Sequence, residues 1–282
     1  MTTRRGDRPR WWRTKDVLVP LALVGSSIAL FYGLLTWAML SNPLASRVDE
    51  RIVFGEVDGA EVALVTYERQ GDRNPLALPH WIRSGYDRRA TAVSTATGEP
   101  LWDVSVDRWW PQGPTAPLAV GGGRVYVMVA GGLVILDAAD GARVAGPDGI
   151  AGLGSPVLES QGAYGYDAAT DQVVALTADG EVVGLPVGTD AAAPVDAEVR
   201  ERWSLVLDTS PQAAAPDGRE LHDVATGYDP DHPCEEVSGP CAVSPSGVVV
   251  ETRAPDPGAE DRLEMLVVGG VRTVLGTQGL WR

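Results

Sequence analysis

The stretch Ser94-Thr-Ala-Thr-Gly-Glu-Pro-Leu-Trp102 decides the predicted fold, because its pattern returns along the chain. A turn rich in small residues ends at a glycine, and a short segment ending in tryptophan follows. Glycine adopts positive φ without strain, so Thr-Gly or Asp-Gly between two apolar runs indicates a β-hairpin. Related phrases recur, and the glycines that anchor them are Gly98, Gly141, Gly180, Gly227 and Gly270.

The spacing of these glycines predicts the architecture. The intervals are 43, 39, 47 and 43 residues, and a period near 40 with several strands in each period is typical of β-propeller blades. Apolar runs such as 124–130 and 133–136 have the length and composition of strands. We therefore predict an all-β domain, a β-propeller of about five to seven four-stranded blades. Another all-β repeat or a sandwich is the alternative, and residues 194–206 are the best candidate for a short helix.

The phrase from Ser94 to Trp102 resembles the blade motif of the PQQ-like, quinoprotein-type β-propellers. In that family the tryptophan packs between neighbouring blades, so the resemblance implies a blade-packing role for Trp102. The copies at 134–141 and 221–227 match only up to the glycine and lack the tryptophan. The resemblance covers roughly residues 85–230 and implies a blade architecture more than an activity.

The same resemblance gives little support for catalysis. PQQ-dependent dehydrogenases carry a vicinal cysteine pair and eight blades, whereas six residues separate Cys234 from Cys241 here and the chain is too short for eight blades. The sequence also has no nucleophile elbow, phosphate-binding loop or zinc-protease motif. We therefore expect no catalytic residue, no cofactor and no metal site.

An uncharged run of 24 residues, Val17–Leu40, precedes the repeats. A helix of this length crosses a hydrocarbon core of about 30 Å. The run is longer than the apolar part of a cleaved signal peptide, and it follows six basic residues, so the positive-inside rule places the N-terminus in the cytoplasm. We predict a cytoplasmic basic tail at 1–16, a transmembrane signal-anchor helix at 17–40, a linker at 41–50 and an extracytoplasmic domain at 51–282.

The charge of the chain limits its partners. The formal net charge is −15, and the residues after position 16 include 17 basic and 36 acidic side chains. A domain this acidic repels nucleic-acid phosphates and anionic lipid headgroups. We therefore expect no nucleic-acid partner, a membrane contact through the anchor alone, and a protein of the bacterial cell envelope as the binding partner.

Three further features lie in turn-rich segments. Cys234 and Cys241 are the only cysteines, and an even count in an oxidising compartment predicts a disulfide. The adjacent Trp109 and Trp110 precede a proline and are candidates for a recognition loop, although blade core is the alternative for them. The acidic loop 229–236 lacks regular calcium-ligand spacing, so a solvated loop is the preferred interpretation.

Together these features predict a non-catalytic, membrane-anchored propeller that acts as a protein-binding or scaffolding module in the bacterial cell envelope. Propellers hold their loops and central channel on a rigid ring, an arrangement suited to recognition of proteins. A small-ligand sensor or an enzyme with a site in the channel is one alternative. A signalling subunit whose arginine-rich tail contacts a cytoplasmic partner is another.

Overall fold

The structure is a computed structural model of the 282-residue chain. It describes the fold over residues 23–34, 45–70, 86–107, 115–154, 161–208, 234, 240–255 and 263–276.

Residues 23–34 form helix α1. All of its side chains are exposed to solvent, although most are apolar; the largest of these are Leu23, Val24, Ile28, Leu30, Phe31 and Leu34. Within the part of the chain that the structure describes, no helix is both long enough and apolar enough to cross a membrane. The rest of the predicted transmembrane segment, 17–22 and 35–40, lies outside the described residues.

The remaining described residues form four antiparallel sheets of four strands, and in each sheet the strands lie in chain order. Sheet 1 contains β1 Ala45–Val57, β2 Ala60–Gln70, β3 Tyr86–Ser94 and β4 Pro100–Asp107. Sheet 2 contains β5 Ala116–Gly121, β6 Arg124–Val129, β7 Gly132–Asp137 and β8 Arg143–Ala145. The strand β1 begins at Ala45, inside the stretch predicted as a linker.

The second half of the chain repeats this arrangement. Sheet 3 contains β9 Tyr164–Asp167, β10 Gln172–Leu176, β11 Val182–Pro186 and β12 Ala193–Pro194. Sheet 4 contains β13 Cys241–Val243, β14 Val249–Arg253, β15 Met265–Val268 and β16 Val271–Val274. Helix α2, Ala197–Ser204, follows sheet 3, and short 3-10 turns occupy Pro147–Gly149 and Gln161–Ala163. The prediction of an all-β domain is confirmed.

Sheet 2 is covered on both faces, which explains why its central strands read as continuous apolar runs. One face packs on sheet 1 through Val125, Val127 and Leu136, while the other packs on sheet 3 through Tyr126 and Ile135. Successive side chains of a strand point to opposite faces, so these strands bury residues on both sides. Burial of an aliphatic side chain contributes about 1.5–3 kcal/mol, and these two interfaces form the two largest apolar clusters among the described residues.

Sheet 1 is also covered on both faces, because sheet 4 packs on the side opposite sheet 2. Val65 and Val93 of sheet 1 contact Val250 and Leu266 of sheet 4 in a third apolar cluster. The order of the sheets in space is therefore 4, 1, 2, 3, although sheet 4 is last along the chain. The described residues do not form a closed ring.

The first strands of neighbouring sheets approach each other closely. The strand β1 packs along β5, and β5 approaches β9. A Cβ atom built at Gly55 of β1 would lie 2.4 Å from the carbonyl oxygen of Val120 in β5. Only glycine permits this approach of two backbones, so Gly55 sets the distance between the first strands of sheets 1 and 2.

Candidate functional site

The repeated turn has the same geometry in sheets 1 and 2. The amide of Gly98 donates to the carbonyl of Ser94 at 2.8 Å, and the amide of Gly141 donates to the carbonyl of Asp137 at 2.9 Å. The φ angles of the two glycines are +73° and +74°, a conformation that favours glycine. Both turns join the third strand of a sheet to the fourth.

Of the other predicted turn glycines, Gly270 lies between the same pair of strands as Gly98 and Gly141, whereas Gly180 does not. Gly270 joins the third and fourth strands of sheet 4, with φ +89°, whereas Gly180 joins the second and third strands of sheet 3, with φ +81°. The stretch from Asp167 to Asp171 follows the repeat pattern and joins β9 to β10, and Asp171 occupies the left-handed position with φ +47°. This copy of the pattern has aspartate at the position where the other copies have glycine. Gly227 lies outside the described residues.

Trp102 lies between sheets 1 and 2. The side chain is 6% exposed and packs in the same apolar cluster as Val125, Leu136 and Ala138 of sheet 2. Its indole Nε1 donates a hydrogen bond of 2.8 Å to the carbonyl oxygen of Ala138. A buried indole needs such an acceptor, and here the repeated turn of the next sheet supplies it.

The repeated turn of one sheet packs on the fourth strand of its neighbour. A Cβ atom built at Gly141 would lie 2.9 Å from Cδ2 of Trp102 and from Cγ1 of Val104, both in β4. At the equivalent place, a Cβ atom built at Gly98 would lie 2.5 Å from Cβ of Val271 in β16. The Thr273 hydroxyl also donates to the carbonyl of Gly98 at 3.0 Å. Sheet 2 thus lies on sheet 1 in the way that sheet 1 lies on sheet 4.

The predicted disulfide is confirmed. Cys234 and Cys241 are bonded, with their Cα atoms 5.6 Å apart, and Cys241 is the first residue of β13. The bond therefore fixes the chain at its entry into sheet 4. The remaining predicted sites, Trp109, Trp110 and the acidic loop apart from Cys234, lie outside the described residues.

A network of charged side chains covers one end of sheet 1 on the face towards sheet 4. The Tyr67 hydroxyl donates to Oδ2 of Asp103 at 2.6 Å, and Nε of Arg89 donates to Oδ1 of Asp103 at 2.9 Å. Tyr67 belongs to the apolar cluster shared with sheet 4. Residues of three neighbouring strands therefore form one hydrogen-bonded row at the edge of this interface.

Asp87 extends the network towards the edge of the sheet. Its carboxylate accepts hydrogen bonds from Arg89 at 2.9 Å, from Arg69 at 3.0 Å and from the Ser105 hydroxyl at 2.6 Å. Arg69 also donates to the carbonyl of Gly276, just after sheet 4. Because each buried charge has a partner of opposite sign, its desolvation cost is offset.

The environment fixes the protonation states of this network. Burial and the adjacent Asp103 carboxylate raise the pKa of Tyr67 well above its usual range, so the phenol stays protonated and remains a donor. Burial alone would lower the pKa of Arg89, but Asp103 and Asp87 outweigh it and raise this pKa. Groups that hold one protonation state across the physiological pH range stabilise structure and do not serve as a proton-transfer pair.

A second polar contact joins sheets 1 and 4 at the other end of their interface. The Glu61 carboxylate accepts hydrogen bonds from the hydroxyls of Thr95, Ser244 and Ser246 and from the backbone amide of Ser246. Burial alone would raise the pKa of Glu61, but these hydrogen bonds lower it, so the carboxylate stays ionised at neutral pH. We call the combination of this contact and the apolar cluster between sheets 1 and 4 the closing interface.

Helix α2 covers the face of sheet 3 that points away from sheet 2. Asp196 caps the helix by accepting from the amide of Val199 at 2.8 Å. Trp203 is fully buried, and its indole donates to Oδ2 of Asp167 at 3.0 Å. Arg202 pairs with the same carboxylate. Burial alone would raise the pKa of Asp167, but hydrogen bonds from Arg202 and Trp203 lower it.

The carboxylates in the polar clusters of the described residues are each bound to donors of the protein. Over the described ranges, no group of three or more His, Cys, Asp or Glu side chains is placed to hold a metal ion. The carboxylates that are brought together are paired with arginine or with hydroxyl donors, as in Asp87 and Glu61. These arrangements join strands and sheets.

The ionic network has a signal in the sequence. Strands β2, β3 and β4 carry polar residues at alternate positions: Tyr67 and Arg69, Asp87 and Arg89, and Asp103 and Ser105. Polar residues at every second position in three successive strands indicate a shared polar row on one face. The pairing of Glu61 with Ser244 and Ser246 had no such signal, because 183 and 185 residues separate the partners.

Comparison with known proteins gives no family for this chain. No protein-family model matches it, and no curated protein matches it. Membership of the PQQ-like repeat family therefore stays a prediction, and the function is inferred from this chain's own residues.

Proposed function

We propose that this protein is a membrane-anchored β-propeller outside the cytoplasm that binds or holds another protein of the bacterial cell envelope. Four successive four-stranded sheets pack face to face in the described part of the chain, and apolar clusters fill the interfaces between neighbours. Blades of a propeller pack in this way around a common axis.

The packing of sheet 4 against sheet 1 is the observation that supports the propeller architecture most directly. A straight stack in chain order would leave sheets 1 and 4 at opposite ends, whereas a circular arrangement makes them neighbours. The turn of sheet 1 at Gly98 packs on Val271 of sheet 4, and the turn of sheet 2 at Gly141 packs on Trp102 of sheet 1. The same contact thus repeats from the last sheet to the first and from the first to the second, as rotation about an axis requires.

The four described sheets do not close into a ring, and the predicted number of sheets is about five to seven. The predicted repeat around Gly227 lies between sheet 3 and sheet 4 along the chain, outside the described residues. Propellers with four to eight blades are typical, so the spacing of the five anchoring glycines fits a ring of this size.

The proposal of a membrane anchor is based on the sequence and on the exposure of the α1 side chains. Val17–Leu40 contains no charged residue, and its described part, 23–34, is helical with every side chain exposed. Apolar side chains in such a position are stable in a lipid environment. A reporter that is active only outside the cytoplasm, fused after Arg282, is expected to be active. An inactive reporter, or a mature chain that begins after Leu40, would contradict the proposed topology.

A binding role suits the chemistry of the described polar groups better than catalysis does. The Tyr67–Arg89–Asp103 network and the Glu61 contact consist of donors and acceptors that satisfy one another within the protein. Such networks rigidify a scaffold. A rigid scaffold presents its loops in fixed positions, as protein recognition requires.

Crosslinking in intact cells, followed by purification of the full-length chain, tests this proposal. We expect one defined envelope protein to be crosslinked to the wild type, and to be lost from a variant with both Trp109→Ala and Trp110→Ala that unfolds like the wild type. The matched control is Leu205→Ala, because Leu205 is 84% exposed beside α2. A retained small molecule with no crosslinked protein would favour the ligand-sensor or enzyme alternative and contradict the binding proposal.

A further inference from the structure

The hairpin between β1 and β2 turns through two residues, Asp58 and Gly59. Val57 pairs with Ala60 across the turn, and both central residues have positive φ, +51° at Asp58 and +77° at Gly59. Asp-Gly is a favoured sequence for such a turn, because aspartate tolerates this conformation and glycine adopts it without strain. Both residues are exposed to solvent. The turn therefore places an aspartate side chain beside a glycine amide at an exposed hairpin tip.

An aspartate that is followed by glycine can react with its own backbone. The amide nitrogen of the glycine attacks the side-chain carboxyl carbon, the new N–Cγ bond closes a five-membered succinimide, and one water molecule leaves. Water then opens the ring at either carbonyl. Opening at the backbone carbonyl breaks the original peptide bond, so that the chain continues through Cγ as isoaspartate, whereas opening at Cγ restores aspartate. The reaction consumes the water that it releases and needs no other reactant.

The reactivity of an Asp-Gly pair depends on the freedom of the glycine amide. An amide that donates to a backbone carbonyl is held in one orientation and must break that hydrogen bond before it attacks. The absence of a Cβ atom leaves the nitrogen of glycine open to approach. Ring closure also needs a local opening of the turn, which is easiest at an exposed tip with few contacts.

Four of the five Asp-Gly pairs in the sequence lie in the described residues, and they differ in the state of the glycine amide. In three of them the amide donates to a carbonyl at 2.9 Å, from Gly141 to Asp137, from Gly149 to Gly146 and from Gly180 to Thr177. The amide of Gly59 donates to no acceptor among the described residues. This difference distinguishes the pair in the β1–β2 turn from the other three.

The surroundings of Asp58 leave room for the reaction. No hydrogen bond or ion pair with a described residue holds its carboxylate, whereas Oδ1 of Asp140 accepts from the Ala142 amide at 2.8 Å. A Cβ atom built at Gly59 would have nothing within 4 Å, so a ring at this position meets no neighbour. Asp58 is also one of two non-glycine residues at positive φ among the described residues, a conformation that carries strain.

The same hairpin carries one side of the closing interface. Glu61 is the second residue after the turn, and its carboxylate accepts from the Ser244 hydroxyl at 2.8 Å and from the Ser246 amide at 3.1 Å. An isoaspartate adds one atom to the main chain between β1 and β2. The first residues of β2 then shift against β1, and the Glu61 carboxylate moves away from the position that the serines require.

We propose that Asp58 is a site of spontaneous covalent modification, at which the Gly59 amide converts the aspartate through a succinimide to isoaspartate, and that the product loosens the Glu61 contact between sheets 1 and 4. The modification needs no enzyme and accumulates with the age of the folded protein. Its effect is concentrated at the closing interface, because Glu61 lies on the same hairpin as the modified residue.

Peptide mapping by mass spectrometry, with fragmentation that distinguishes isoaspartate from aspartate, tests the site. The full-length chain is kept in detergent at neutral pH and physiological temperature. Isoaspartate is expected to form at Asp58 at least about fivefold faster than at Asp140, Asp148 or Asp179, the factor that corresponds to one net hydrogen bond of the glycine amide. In denaturant, where no turn is held, the four rates should converge. Equal rates in the folded protein, or a difference that persists in denaturant, would overturn the proposal.

Three variants sharpen this test. Asp58→Asn suits the same turn and forms the same succinimide with loss of ammonia, so it should react faster than the wild type. The matched control is Asp140→Asn, which should react at least about fivefold more slowly than Asp58→Asn because the Gly141 amide is bound. Asp58→Gly also suits the turn, has no carboxyl group and should give no product. Equal rates for the two asparagine variants would contradict the role of the free amide.

Hydrogen exchange of the Ser246 amide measures the effect on the closing interface, because this amide donates to Glu61. Its protection is expected to fall at least about fivefold in the isomerised fraction of aged protein. Equally aged Asp58→Gly should retain the protection of a fresh sample, and the amides of sheet 2 provide an internal reference. Equal protection of Ser246 in the isomerised and unmodified fractions would refute the link between the modification and the closing interface.

Discussion

The two faces of sheet 1 form different kinds of interface. The face towards sheet 2 is apolar at its centre, where Trp102 packs among valine and leucine side chains. The face towards sheet 4 also has an apolar cluster, but polar contacts at Glu61 and around Asp87 flank it. Sheets 1 and 2 follow each other in the chain, whereas sheets 1 and 4 come from opposite ends of the domain.

The difference has a physical reason. Apolar burial is non-directional, so it stabilises an interface without fixing which sheets meet. Charged hydrogen bonds are directional, and an unpaired buried partner is costly, so they favour one pairing over others. The closing interface must select one partner sheet from a distant part of the chain, and the Glu61 carboxylate with its serine donors provides that selection.

The largest effect is expected at the centre of the apolar face. Trp102→Ala should lower the free energy of unfolding by about 3–5 kcal/mol, because it opens a cavity and leaves the Ala138 carbonyl without its donor. Urea denaturation measures this change. Leu101→Ala is the control, since Leu101 is 47% exposed on the same strand and should change stability by less than about 0.5 kcal/mol. Equal losses in both variants would contradict the packing role of Trp102.

A pair of glycine variants separates two contributions to stability: the packing of a turn on its neighbour and the strain of its backbone conformation. Gly141→Ala should cost about 2–4 kcal/mol, because strain at positive φ adds to the contact with Trp102. Gly180→Ala has the same strain, but nothing lies within 4 Å of its new Cβ atom, so it should cost about 1 kcal/mol. Thermal denaturation compares the two, and the prediction fails if they are equally destabilised.

The polar contact of the closing interface should contribute less to the free energy of unfolding than Trp102 does, and its contribution should depend on pH. Glu61→Ala is expected to cost about 2–3 kcal/mol at pH 7, because four donors lose a charged acceptor. The pKa of Glu61 is lowered, so this contribution is present above the ordinary value of 4.5 and is lost as pH falls through the folded-state pKa. Glu56→Gln, an exposed change on the facing strand, is the control for unfolding measured from pH 3 to 7.

The smallest effect in this series is expected from the disulfide beside the closing interface. Replacing both Cys234 and Cys241 by serine should destabilise the domain by about 2 kcal/mol, because the bond closes a short loop. The loss should appear as faster hydrogen exchange in β13, which begins at this bond, and in its partner β14, and leave sheet 2 unchanged. Uniform loss of protection across all sheets would contradict a local role.

The strands and the apolar interfaces could be predicted from the sequence, because their signals are local. The repeat around Gly98 and Gly141 predicts the hairpins, and the tryptophan of the repeat, Trp102, predicts the packing between sheets. Gly180 differs from them: it has the right spacing but joins the second and third strands of its sheet, and a further copy of the pattern, which ends at Asp171, joins the first and second. Glycine spacing reports positive φ, and aspartate also tolerates that conformation.

The closing interface could not be predicted, because its contacts join distant residues. Glu61 lies in β2 and Ser246 in the turn between β13 and β14, and their sequences carry no pattern that relates them. The bulge that follows Val48 in β1 could not be predicted either, because a bulge changes the register without leaving a mark in the hydrophobic pattern. Such features arise from the three-dimensional arrangement of strands and must be read from a structure.

The circular order of the sheets is the central claim, and nuclear Overhauser contacts in the isotope-labelled full-length chain test it most directly. The Hα atoms of Gly141 should contact the Trp102 indole, and the Hα atoms of Gly98 should contact the Val271 methyl groups, because the two turns pack equivalently. Observation of both contacts would agree with a last sheet that packs on the first. A Gly141 contact without the Gly98 contact would mean that sheet 4 does not lie on sheet 1, and would contradict the circular arrangement.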